Sequence, residues 1–83
     1  MLFLDTTMLV GAADARDECH EDGKALLQVI ATGKPGMALI SDYVLDETVT
    51  ILGQRRGVGA AKAVDFVRRV LASPRVKLVP VDP

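Results

Sequence analysis

An α/β domain built on a parallel sheet is predicted by three features of this 83-residue chain. Short, uninterrupted apolar runs at Leu2-Phe3-Leu4, Met37-Ala38-Leu39-Ile40 and Val76-Lys77-Leu78-Val79-Pro80-Val81 read as strands. Between them lie stretches with apolar residues at helical spacing, two to each interval. The composition is aliphatic, 49% hydrophobic with only 4% aromatic, so Ala, Val and Leu supply most of the packing. Strands separated by helical intervals imply right-handed crossovers and parallel pairing. A chain this short makes one small domain that buries only about 60 to 65% of the surface its unfolded form exposes.

The opening strand, Leu2 to Leu4, runs straight into Asp5, Thr6 and Thr7. Ligands bind at the carboxyl ends of strands in open parallel sheets, which makes Asp5 the first functional candidate. Its alternative role is to cap the helix that follows. Met8 to Ala13 is expected to make one or two helical turns. Asp14, Asp17, Glu18, Glu21 and Asp22 crowd the start of a second pattern, with Cys19, Gly23, Leu26, Leu27 and Ile30 at helical spacing. This predicts a helix from about Arg16 to Thr32, ended by Gly33. His20, among those acids, is expected on the solvated surface.

Lys34-Pro35-Gly36 is a turn by residue chemistry. After the second strand, Ser41 and Asp42 offer N-caps to a helix from Asp42 to about Arg56. Val44, Leu45, Thr48, Val49, Ile51 and Leu52 share one arc of it. Glu47 lies on the border of that arc, near the strand ends, and Asp46 faces solvent. Gly57-Val58-Gly59 breaks the pattern, and Ala60, Ala63, Val64, Val67, Val70 and Leu71 form the stripe of a further amphipathic helix. Arg68 and Arg69 fall on its polar side, a charged outer face that could meet an RNA backbone. Ser73-Pro74 ends that helix. Asp82-Pro83, after the third strand, reads as the start of another helix, so the fold is expected to be truncated there.

Charge is lopsided along the chain. Met1 to Gln54 holds nine acids against three bases, and Arg55 onward holds seven bases against two acids, within a net charge of −1. The lone Cys19 makes no intramolecular disulfide, and no Cys/His spacing suggests zinc. With no secretory pattern and no run long enough to span a membrane, a reducing cytoplasm is the expected compartment. Asp5 and Glu47 should point into one crevice, the beginning of a magnesium or manganese site.

Leu2 to Met8, together with Ile40-Ser41-Asp42-Tyr43-Val44-Leu45-Asp46-Glu47-Thr48-Val49-Thr50-Ile51-Leu52, resembles the PIN-domain ribonucleases, particularly VapC-type toxins of toxin–antitoxin systems. The second motif is the sharper match, and the resemblance covers the whole chain as a single partial domain, residues 1–83. It implies a PIN-like three-layer arrangement and metal-dependent RNA hydrolysis through acids that bind Mg²⁺ or Mn²⁺. The family's first catalytic Asp falls on Asp5, its Glu on Glu47 and its supporting hydroxyl on Thr6. A cognate antitoxin is the implied partner.

The family's remaining acids follow a later Ser/Thr-Asp motif and a final strand, and neither segment is in this chain. Asp65 belongs to the polar face of a helix and Asp82 reads as a cap, so neither substitutes. In the family's sheet, order 3-2-1-4-5, the first strand is central. Here that strand is expected to present an open apolar edge, inviting a homo-oligomer or pairing with a complementary fragment. The alternative to an enzyme is therefore a catalytically incomplete fragment that binds partners or self-associates. A haloacid dehalogenase-like enzyme is set aside, because Asp5-Thr6-Thr7 lacks the second Asp two residues on.

Overall fold

The computed structural model describes residues 1–80. Strand β1 (Leu2–Phe3) leads into helices α1 (Thr6–Ala13) and α2 (His20–Ala31). Strand β2 (Ala38–Ser41) leads into α3 (Asp42–Gly53) and α4 (Gly59–Ala72), and β3 (Val76–Val79) follows. The three strands pair in parallel in the order β1-β2-β3, with Leu2 beside Ala38 and Ala38 beside Val76. The expected end of the third strand at Val81 and the expected cap at Asp82 lie outside the described residues.

Local chemistry sets the boundaries. Asp5 caps α1 from an extended backbone, its Oδ1 accepting from the Met8 amide at 2.9 Å, so the helix starts at Thr6, two residues earlier than its apolar pattern suggests. The α2 helix starts at His20, four residues later than expected. Asp14 accepts from the Arg16 amide and Asp17 from the Cys19 amide, and these side chains hold the backbone in turns that compete with helix. Gly33, at φ 79°, ends α2, and Gly36, at φ 82°, completes the turn before β2. Ser41 caps α3 by accepting from the Val44 amide at 3.0 Å.

Alternate strand residues decide where the core lies. Leu2, Leu4, Ala38, Ile40 and Val76 pack in one cluster with Leu9 of α1, Ile30 of α2, Val44 and Leu45 of α3, and Val70 of α4. All four helices therefore lie against the same face of the sheet, as right-handed crossovers taken in one direction require. The parallel sheet flanked by helices is as expected, but over the described residues it has two layers where three were expected. The row Phe3, Leu39, Lys77 faces the other way and belongs to neither core cluster.

A second cluster, Val10, Leu52 and Ala63, knits α1, α3 and α4 together. Phe66 touches both clusters, whereas Ala60 and Val64, expected on the buried stripe of α4, are exposed. Among the described residues no helix is long and apolar enough to cross a membrane.

Candidate functional site

The carboxyl end of β1 and the middle of α3 meet at a polar contact. Thr6, the first residue of α1, donates its hydroxyl to Glu47 Oε1 at 2.5 Å. Glu47 is half-buried and Asp46 is exposed, as the helical arc predicts. The next residue, Thr48, is fully buried and donates to the Val44 carbonyl at 2.7 Å, and Leu52 one turn on is also fully buried. These anchors fix the face that α3 turns toward α1, and with it the direction of Glu47. Asp5, immediately before Thr6, is exposed and spends Oδ1 on its cap. Capping therefore coexists with an accessible carboxylate.

Beside this contact lies a cleft of about 130 Å³ lined by Thr6, Thr7, Val10, Asp17, Ile51 and Arg55. Arg55 closes one end. Its Nη1 donates to Asp14 Oδ2 at 3.2 Å and to Asp17 Oδ1 at 3.0 Å, tying the end of α3 to the α1–α2 connection. Asp14 is only 4% exposed, so the guanidinium is what makes its burial tolerable. The Cys19 amide first, and then Arg55, hold the Asp17 carboxyl below its ordinary range. The hydrogen bonds that Arg55 donates to Asp17 and Asp14 push its own pKa upward in turn. The Cys19 thiol is pushed up by partial burial and by the neighbouring acids.

The sequence did not announce this Asp14–Arg55–Asp17 group. The two aspartates looked like helix-start acids, and the arginine that joins them lies about forty positions away. The expectation for His20 is corrected as well: it is half-buried, its Nδ1–H donating to the Gly11 carbonyl at 2.8 Å. That bond spans α1 and α2 where Gly11 and Cys19 approach closely.

Thr6 and Glu47 thus come together, with Asp5 next to Thr6 in the chain, while Arg68 and Arg69 do not line the cleft beside that contact. Both arginines are exposed on α4, Arg69 paired with Asp65 at 3.2 Å one turn away. Among the described residues no group of three or more His, Cys, Asp or Glu side chains could hold a metal. What the contact offers is the Glu47 carboxylate and the Thr6 hydroxyl, with the exposed Asp5 carboxylate one residue before Thr6 in the chain. Hard oxygen donors of this kind suit magnesium, which keeps several waters and takes one or two carboxylates.

The chain is homologous to the N-terminal portion of VapC20, a PIN-domain toxin. It is 35% identical over 68 residues to the Mycobacterium tuberculosis protein described as the 23S rRNA-specific endonuclease VapC20, in two strains. That match takes in 82% of this chain and 49% of the relative. The crystal structure of M. tuberculosis VapC20, described as a sarcin-ricin loop cleaving toxin, superimposes with a TM-score of 0.77 at 28% identity. It covers 99% of this chain and 58% of that one, so the chain spans about half the length of the relatives it matches. No family model matches the chain.

Proposed function

We propose that this chain carries part of the active site of a metal-dependent endoribonuclease of the VapC type, with Asp5 and Glu47 as metal-binding catalytic acids and Thr6 as their support. The observation that carries this reading is the Thr6–Glu47 hydrogen bond, which joins the two motifs of the resemblance in space. Homology to a protein described as an rRNA endonuclease supports it.

Asp5 and Glu47 would hold Mg²⁺ or Mn²⁺, and such an ion supplies charge neutralisation at a phosphodiester and a more acidic bound water. The chain's own groups do the positioning. Thr6 occupies Oε1 of Glu47 and leaves Oε2 for the ion or for a water proton. The Met8 amide fixes Asp5 through Oδ1 and leaves Oδ2 toward solvent. RNA is the proposed substrate class and a cognate antitoxin the proposed partner, both in the cytoplasm. Arg68 and Arg69, lying outside the cleft, would serve only more distant stretches of an RNA backbone.

A second reading is favoured by one observation. Two carboxylates without a third among the described residues make a weak metal site, as each ligand adds charge and geometry. On that reading the chain binds partners without cutting RNA. Cleavage of a structured RNA with and without Mn²⁺, by the parent, Asp5→Asn and Glu47→Gln, separates the two. Metal-dependent cleavage lost in both variants supports the enzyme; a parent as inactive as its variants supports the binding module.

A further inference from the structure

Two side-chain contacts tie α1 to the α3 segment, and each joins residues forty-one positions apart, Thr6 with Glu47 and Asp14 with Arg55. The two segments therefore run side by side, in the same direction and in register. Residues four apart share a helix face, so Val10 and Ile51 fall midway between those contacts. Both line the cleft beside the Thr6–Glu47 contact and belong to the apolar packing that joins α1, α3 and α4. Every wall of the cleft comes from α1, the α1–α2 connection or the α3 segment, in the helical layer and away from the second edge of β1.

The lining changes character along its length. The hydroxyls of Thr6 and Thr7 stand at one end, the middle is aliphatic, and the Arg55 guanidinium stands at the other. Arg55 uses Nη1 alone for the clamp, donating from it to both Asp14 and Asp17, so the Nε and Nη2 edge remains as a planar fork of donors. That fork is a poor seat for a phosphate. Two carboxylates flank one guanidinium, which leaves the clamp net negative, and Glu47 adds an acid beside the opposite end. A neutral, flat group with paired acceptors suits it instead. The cleft, at about 130 Å³, is close to the roughly 150 Å³ of a cavity that takes up a benzene ring.

We propose that this cleft seats one RNA base next to the cleaved phosphodiester, against Val10 and Ile51, with two adjacent acceptors of its edge on the Nε–Nη2 fork of Arg55. Guanine offers such a pair in O6 and N7, and cytosine in O2 and N3. The edges of adenine and uracil alternate donors with acceptors and offer none. Arg55 is then a specificity-determining residue, and the clamp that neutralises Asp14 also aims the group that reads the base. The inference rests on RNA as the substrate class proposed above. Single strands supply the edge, because their unpaired bases are open to apolar contact and to hydrogen bonding on their Watson–Crick and Hoogsteen sides.

The test is an NMR titration of methyl-labelled protein, without metal, using short uridine-rich RNAs that differ only at the central base: adenine, cytosine, guanine, uracil or 7-deazaguanine. The expected result is that guanine or cytosine binds about 5- to 150-fold more tightly than adenine and uracil, the usual worth of one bidentate base contact. The largest shifts should fall on the Val10 and Ile51 methyls, and a guanine preference should vanish in the 7-deaza RNA. Arg55→Lys keeps a cation for Asp14 but has no fork, so it should bind all the RNAs alike. The base series uses the unaltered protein, so it decides even where the lysine variant does not fold. Equal binding of every RNA by the parent, which marks phosphate contact alone, overturns the proposal. So does a preference for adenine or uracil, a guanine preference that survives the 7-deaza change, a preference that survives Arg55→Lys, or shifts centred away from the cleft. A parent that selects a base but cuts no RNA overturns the enzymatic reading alone, and one that cuts RNA without selecting a base overturns this one alone.

Discussion

Thr6 and Glu47, forty-one positions apart, share a 2.5 Å hydrogen bond that ties the carboxyl end of β1 to the middle of α3. Replacing Thr6 by Val keeps the shape and removes the donor. Because groups that orient metal-binding carboxylates are worth about 10- to 100-fold in affinity or activity, Thr6→Val should lower metal-dependent cleavage by that order, while Thr6→Ser keeps most of it. Stability should fall by only about 1 kcal/mol, the usual worth of one hydrogen bond. Initial cleavage rates and a melting curve on the same preparations check both parts.

Gly23 sits where α2 crosses α1. A Cβ there would collide with the Met8 carbonyl oxygen and come within 2.6 Å of the Ala12 nitrogen, both of them backbone atoms that cannot swing aside. Although alanine is the better helix former, Gly23→Ala should destabilise the fold by about 1 to 3 kcal/mol, the usual range for overpacking. Chemical denaturation of the variant measures it, and a stabilised variant would contradict the close approach.

Arg55 neutralises a buried aspartate. Arg55→Met takes the cation away from the buried Asp14 and leaves it only the Arg16 amide, so the melting midpoint should drop, and adding Asp14→Asn to it should recover part of the loss. A double variant that melts below the single one would contradict the pairing.

Acid should weaken the same clamp. The folded state holds the Asp17 carboxyl below its ordinary value of 3.8, so the folded chain binds fewer protons than the unfolded one in that range. The stabilisation is complete above pH 3.8 and is lost as pH falls below it toward the folded value. Asp17→Asn should show a shallower loss of melting temperature over that interval than the parent.

The sequence carried most of the architecture because element order and apolar periodicity are local signals. Three parallel strands, the α3 arc with Glu47 at its border, and Gly33 as a helix end all follow from neighbours within a few residues. That the end of β1 and Glu47 lie near one another was legible from element order, which sends both to the carboxyl ends of parallel strands, whereas Thr6 as the supporting hydroxyl came only through the resemblance. The Asp14–Arg55–Asp17 clamp was not legible at all, because acids near a helix start look alike whether or not a distant arginine reaches them. The delayed start of α2 has the same origin, side chains of Asp14 and Asp17 diverting the backbone before the helix can begin. Strand spacing also left open how many faces of the sheet are covered, which the shared core settles as one.

Convergence of Asp5 and Glu47 on one divalent ion is tested most directly by Mn²⁺-induced broadening of backbone amide signals. Binding at the proposed site predicts broadening centred on Asp5, Thr6 and Glu47, lost in Glu47→Gln and in Asp5→Asn. Broadening centred instead on the acids from Asp17 to Asp22, or no site-specific broadening, would contradict it.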